Sequence, residues 1–341
     1  MNDIAVKCKN IWPGLGIATI TGMAALFLSE HYHAPAMLFA LLLGMAVSFL
    51  YQNNTPCACG IDFTASTLLR AGVVLLGLRI ALGDLAVLGW QTALMLAGAI
   101  MTTIVVGVGL AKALGLQKRF GALTGGSVAI CGASAALAIS TILPKGENHE
   151  RDTLLTVIGV TAMSTIAMVL YPIIAGQLGM TDTEAGIFLG GTIHDVAQVV
   201  GAGYSVSESA GDLATLTKLV RVAMLIVRVA MLMPVVLIMM VFIKHFFHAK
   251  NRAESNEVPK MPLFLIGFIA LMLLNSFVVL PEFVIETGTQ ISRFFLVVSI
   301  TAIGMKSNLG KLAEVGVLPI VMIVAETLWI ALLILGFLYA M

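Results

Sequence analysis

Charge is what this chain has least of: Asp, Glu, Lys and Arg make up 11% of its 341 residues, where a soluble domain carries roughly a quarter. That shortage excludes a water-soluble enzyme and a disordered chain. A basic surplus is missing too. With 19 basic and 18 acidic residues the formal net charge is +1, so nucleic acid is not an expected partner. Cysteines number four (Cys8, Cys57, Cys59, Cys131) and lack framework spacing, which excludes a disulfide scaffold. Cys57-Ala-Cys59 reads as a solvated turn, because a metal site needs further ligands and His31 with His33 fall on the opposite side of the membrane. No GxSxG, HExxH or phosphate-loop pattern occurs. The chain is therefore not expected to be an enzyme, and no catalytic residue, metal or organic cofactor is expected.

Hydrophobic residues are present instead, at 59% with a mean hydropathy of +1.03, spread over the whole length. This is the signature of an all-α polytopic membrane protein, read as one transporter domain over 1–341. Apolar segments near the roughly 20 residues that cross a bilayer fall at 13–29, 36–51, 63–82, 91–113, 120–143, 153–178, 186–204, 213–246, 262–280, 289–306 and 315–340. That makes about eleven. The fifth and seventh carry Gly, Ser and polar clusters and either cross as broken helices or dip in and return.

Positive charge sets the orientation. Lys7 and Lys9, Lys118 and Arg119, the Lys244–Lys260 loop, and Lys306 with Lys311 share one side when the N-terminus is cytoplasmic. Lys145 and Arg151 are the exception, in an outer loop. Removing both unusual segments leaves this parity intact.

Two echoes run through the chain. Gly77-Leu-Arg79-Ile-Ala-Leu82-Gly83-Asp-Leu85-Ala86-Val-Leu-Gly89 matches Gly304-Met-Lys306-Ser-Asn-Leu309-Gly310-Lys-Leu312-Ala313-Glu-Val-Gly316, 227 residues later, with six identities. The copies end spans of opposite direction, as inverted repeats do. A weaker echo links Gly125-Gly126-Ser127-Val128 to Gly190-Gly191-Thr192-Ile193. In a fully crossing topology those segments run parallel, so the two echoes conflict.

Three segments carry candidate chemistry. The fifth, through Ser127, Cys131, Gly132 and Ser134, reads either as small-residue packing or as a helix break. A break frees backbone N–H groups at a half-helix N-terminus to cradle an anion. In the seventh, ionisable His194 and Asp195 sit inside a span, where they mark function by default, and Gln198 follows one turn later. Asp195 beside His194 can steady its charged form. The eighth duplicates a heptad, Val220-Arg221-Val-Ala-Met-Leu then Val227-Arg228-Val-Ala-Met-Leu. Lys218, Arg221 and Arg228 thus line one face. Arg228, deep within the segment on these bounds, needs an acidic partner, with Asp195 the nearest, or a bound anion.

At these segments the chain resembles the YeiH-type membrane proteins, a bacterial family commonly labelled sulfate exporters. The resemblance covers nearly the whole length. It rests on Gly126-Ser127-Val-Ala-Ile130-Cys131-Gly132-Ala-Ser134-Ala, on His194-Asp195-Val-Ala-Gln198-Val-Val-Gly-Ala-Gly and on Lys218-Leu-Val-Arg221-Val-Ala-Met-Leu. Asn275-Ser276-Phe277 and the stretch from Gly304 to Gly316 agree as well. It implies a fold of the bile-acid symporter and sodium/proton antiporter kind: inverted repeats, two discontinuous helices at midplane, and a core moving against a scaffold. In the family pattern Lys-x-x-Arg leads directly to Met-Leu-x-Pro, whereas here Met231-Leu232-Met233-Pro234 comes a heptad later. Either Arg221 or Arg228 is thus the extra copy.

The expectation is a secondary transporter of a small anion such as sulfate or sulfite, in the bacterial inner membrane, as a monomer or homodimer. Ser127, Cys131, Gly132, Ser134, Lys218, Arg221 and Arg228 would receive the anion. His194, Asp195 and Gln198 would couple transport to H+ or Na+. The alternative is a sodium/proton antiporter that uses Asp195, one of only two acids, with Glu326, well inside spans.

Overall fold

The computed structural model describes residues 2–32, 34–51, 55–143, 148–227, 263–278, 280–307 and 316–340. Arg228 and the second heptad copy fall in 228–262, and part of the later 227-residue echo falls in 308–315. Both stretches lie outside the described residues. Within the described residues every regular element is helical, as lipid demands of backbone that has no water to bond. In chain order the elements are α1 (Asn2–Tyr32), α2 (Ala36–Ala46), α3 (Ala58–Phe63), α4 (Leu69–Leu76), α5 (Leu82–Ala113), α6 (Lys118–Ala129) and α7 (Ala133–Ile142). Then come α8 (His149–Gln177), α9 (Asp182–Thr192), α10 (Val196–Val206), α11 (Glu208–Val227), α12 (Leu263–Phe277), α13 (Glu282–Lys306) and α14 (Val317–Ala340). A π-helical turn, Thr64–Leu68, joins α3 to α4. Among the described residues six helical stretches are long and apolar enough to cross a membrane.

The helices sort into two bundles. A scaffold groups α1 to α4 with α12 and α13; a core groups α5 to α11 with α14. Chiefly α10 reaches across, to α2 and α13.

Both unusual segments turn back, the second of the two courses the sequence left open. A methyl added at Gly126 on α6 would stand 2.5 Å from Ile139 Cδ1 on α7. A straight helix would hold those residues about 20 Å apart, at 1.5 Å per residue. On the other hairpin, Gly186 of α9 and Gly203 of α10 both press on one turn of α11. A methyl at Gly186 would stand 3.3 Å from the Ala210 oxygen, and one at Gly203 3.2 Å from the same atom. Thr181 starts α9 with a reciprocal cap: Glu184 N–H donates to its hydroxyl, and its own N–H donates to the Glu184 carboxylate at 2.8 Å. The Thr181 backbone N–H, then its hydroxyl, hold that exposed carboxyl below its ordinary range.

The two hairpins enter from opposite ends of the long helix α8. Arg119 at the start of α6 lies near Asp152 at the start of α8. Tyr171, toward the far end of α8, packs against Phe188 of α9 with the rings tilted and their centroids 5.2 Å apart. So α6 and α9 run toward each other. The Gly125 and Gly190 echoes are antiparallel, not parallel, and the conflict between the two echoes disappears. Arg151, read as lying in an outer loop, begins α8 on the same side as Lys118. Lys145, the other exception to the charge rule, lies outside the described residues.

The 227-residue echo is matched in the backbone as well. Gly89 kinks α5 at φ 67°, and Gly316 precedes α14 at φ 88°, a left-handed conformation that only glycine adopts freely. The remainder of α5, 90–113, shifted by 227 residues coincides with α14, Val317–Ala340. The matching helices lie antiparallel. Ser292 of α13 donates to the Gly72 oxygen of α4 at 2.7 Å, and Lys306 at the α13 end pairs with Asp62 of α3 at 2.6 Å.

This topology has a direct test by one-sided thiol labelling in a background lacking the native cysteines. Single cysteines at Gln117 and Asn148 are expected to label from one face of the membrane, and those at Asp182 and Ser207 from the other. Full crossing would put Gln117 and Asn148 on opposite faces.

Candidate functional site

A helix that stops in hydrocarbon leaves its last carbonyls without partners, and each unmet polar group there costs several kcal/mol. Two helices stop inside this core, α6 at Ala129 and α9 at Thr192. Their ends are met by α11. Arg221, fully buried, donates from Nε to the Ala129 oxygen at 2.7 Å, from Nη2 to Val128 at 2.8 Å and from Nη1 to Gly191 at 2.6 Å. Lys218, also fully buried, donates to the Ile130 oxygen at 3.0 Å and to Ile193 at 2.8 Å.

Each cation therefore holds both hairpins. Bonds from a charged donor contribute about 1.5–3 kcal/mol apiece, so five of them match the several kcal/mol that burying each ion costs. The negative ends of the α6 and α9 dipoles face the same charges, which adds to the balance. Within the described residues no carboxylate lies within salt-bridge distance of either cation. Both cations are met by backbone carbonyls; the acidic partner or anion expected for Arg228 concerns a residue outside the described ones.

The tips themselves meet at Gly132 and His194. A methyl on Gly132 would stand 3.4 Å from His194 Cβ, and Gly132 holds φ 63°, ψ −126°, open essentially to glycine alone. Past it, α7 begins at Ala133, and past His194, α10 begins at Val196. Two helix N-termini, each with about half a positive charge, thus emerge beside the two capped C-termini. Asp195 caps α10, its carboxylate accepting from Ala197 N–H at 3.2 Å; it does not pair with His194. Its own N–H donates to Ser164 Oγ at 3.2 Å.

Gln198 is also placed otherwise than expected. Because the chain breaks between them, it does not share a helical face with His194. It accepts from Ser164 Oγ at 3.2 Å and donates to Thr165 Oγ1 at 3.4 Å. His194 lies 3.1 Å by Nε2 from Thr327 Oγ1, whose own proton goes to the Ile323 oxygen at 2.7 Å. With the Thr327 proton placed there, His194 donates from Nε2, and among the described residues its buried Nδ1 has no hydrogen-bond partner.

A family described as conserved hypothetical protein 698 matches residues 13–323. The chain belongs to it. Among its relatives is a UPF0324 membrane protein of Chlorobaculum tepidum, 47% identical over 97% of this chain and 90% of the relative. The UPF0324 membrane protein TauZ of Paracoccus denitrificans is 48% identical over 95% of this chain and 93% of its own length. No solved structure matches. Membership in this family agrees with the resemblance drawn from the motifs.

In this UPF0324 chain the expected residues divide into three sets. Lys218 and Arg221 bind the breaks. Cys131, Gly132 and Ser134 lie at the first tip, with Ser134 exposed and Cys131 half-buried. Ser127 lies one turn back, its hydroxyl engaged with the Leu123 oxygen at 2.5 Å. Arg228 lies outside the described residues.

Sequence reasoning missed Ser164, Thr165 and Thr327. It noted Glu326 only as a second acid within a span. Glu326 is fully buried; Oε1 lies 2.8 Å from Thr124 Oγ1, and among the described residues Oε2 has no hydrogen-bond partner. The adjacent polar pair Glu326-Thr327 in an otherwise aliphatic segment was the available signal.

Stability separates a bracing role from a purely receiving one. Arg221→Lys loses the fork that reaches three carbonyls. It is expected to destabilise the ligand-free protein by about 2–4 kcal/mol, on the cost of leaving buried polar groups unmet. Thermal unfolding in detergent, with no added anion, reads this directly. An unchanged midpoint would mean that Arg221 only serves a solute.

Proposed function

We propose that this protein is a secondary transporter carrying a small anion, sulfate, sulfite or a related sulfur oxyanion, across the bacterial inner membrane, with its N-terminus cytoplasmic. The observation that carries the reading is the pair of cations bound to helix-end carbonyls. At a broken helix the negative C-terminus and positive N-terminus would otherwise nearly cancel. With Lys218 and Arg221 charged, the α6 and α9 ends are neutralised and the α7 and α10 N-termini are left unopposed. Even after Asp195 is counted, the centre retains a positive surplus of about one elementary charge, at roughly half a unit per helix end. Such a centre attracts an anion and repels a cation.

In this reading the anion sits at the first tip, on the Ala133–Ala135 amides with Cys131, Gly132 and Ser134 around it. Lys218 and Arg221 provide countercharge from behind, and Arg228 is held in reserve as a further cation. His194, Asp195 and Gln198 form the coupling group for a proton or sodium ion. Two inverted relationships support a two-sided, elevator-like cycle. One relates α3, α4 and α5 to α13 and α14, and the other relates the α5–α7 hairpin unit to α8–α10. The scaffold-and-core division supplies the surfaces that would slide.

One observation favours a second reading, a sodium/proton antiporter. Glu326 and Asp195 are both acids within the core, and Glu326 carries an oxygen with no hydrogen-bond partner among the described residues. Asp195→Asn distinguishes the two, since Asn caps a helix as well as Asp while removing the charge. In proteoliposomes the variant is expected to keep sulfate counterflow and to lose acceleration by a pH gradient. Sodium/proton exchange without sulfate flux in the native protein, abolished by Asp195→Asn, would establish the antiporter instead.

A further inference from the structure

A second set of charges lies far from the hairpin tips, at the end of the molecule where α4 stops and α11 starts. Here a cavity of about 220 Å³ opens between scaffold and core, lined among others by Arg79, Tyr204, Glu208, Gln290 and Arg293. The scaffold supplies its cations, Arg79 just after α4 and Arg293 on α13. The core supplies the carboxylates on α11. Glu208 divides its two oxygens between the guanidiniums: Oε2 lies 2.9 Å from Arg79 Nη1 and Oε1 3.2 Å from Arg293 Nη1.

We propose that this cavity is an anion-receiving site in which the Glu208 carboxylate stands in for a small oxyanion. Deepening the transport reading, the proposal rests on it for its purpose, though not for its chemistry.

Three observations carry it. First, one carboxylate bridging two guanidiniums is the pose an oxyanion takes between planar forks. Second, the stand-in is held loosely. The Glu208 side chain is 56% exposed and that of Arg293 62%, and exposed ion pairs contribute only about 0–1 kcal/mol. Third, Arg79 stays aimed without Glu208. Its Nε is fixed by Asp212 at 2.8 Å, and Asp212 accepts in turn from the Tyr204 hydroxyl at 2.5 Å.

The distribution of charge between bundles gives the site its logic. In the arrangement seen, a solute that displaces Glu208 meets Arg293 and an Arg79 still braced by Asp212. If the core shifts, Glu208 and Asp212 both travel with it and leave the two guanidiniums without a carboxylate. The remaining acids close by are Asp84, near Asp212, and Glu286, which accepts from Gln290 at 3.4 Å. A solute must therefore compete with Glu208 and outbid a partly acidic rim. That selects for compact anions with two or more oxygens over chloride.

Isothermal titration of the detergent-solubilised full chain tests this, with sodium sulfate against sodium chloride at equal ionic strength. Glu208→Gln is expected to tighten sulfate binding about tenfold and Arg293→Gln to weaken it about tenfold, some 1.4 kcal/mol each way, with chloride unmoved. Arg79→Gln should weaken it too. Because Arg79 also braces the two bundles, the exposed Arg293 is the decisive position. Sulfate affinity unchanged in both Glu208→Gln and Arg293→Gln overturns the proposal, and with native sulfate uptake persisting it falls alone. Protein that binds sulfate as described yet moves no anion keeps this site and removes the transport reading.

Discussion

Positive side chains resting on helix-ending carbonyls are the interaction on which this molecule turns. Broken helices in the middle of a bilayer leave acceptors that lipid cannot meet, and the two hairpins of this core create that problem at one place from two directions. Lys218 and Arg221 answer it from a single helix, α11, with five bonds to Val128, Ala129, Ile130, Gly191 and Ile193. Without those donors the hairpin tips have no reason to meet, and Gly132 has no reason to hold a conformation foreign to other residues. The buried cations are at once a structural requirement and the source of the central field.

Much of the fold was legible in one dimension. The apolar, helical make-up, the candidate breaks at Gly132 and near His194 and the 227-residue echo came from hydropathy and small-residue clusters. Direction was not legible. An apolar run that crosses and one that turns back halfway have the same composition, so both courses stay open for α6–α7 and α9–α10 in the sequence. Only the crossing course makes the Gly125 and Gly190 echoes parallel and sets Arg151 opposite Lys118.

The partners of Arg221 were illegible for another reason. A search for partners looks for acidic residue types, and a backbone carbonyl belongs to every residue alike. The same blindness hid Thr327 beneath His194, since 133 residues separate them in sequence and only packing joins them. Family membership places the chain among UPF0324 membrane proteins and leaves the choice of solute to chemistry.

Lys218 and Arg221 each reach carbonyls of both hairpins, and this has a mechanical meaning. A force that peels one tip away must break bonds that also hold the other, and α11 is carried along with either. Neither hairpin is then free to act as an independent flap. In the proposed transport cycle, passage of a solute from one face to the other then calls for displacing the whole core as one piece.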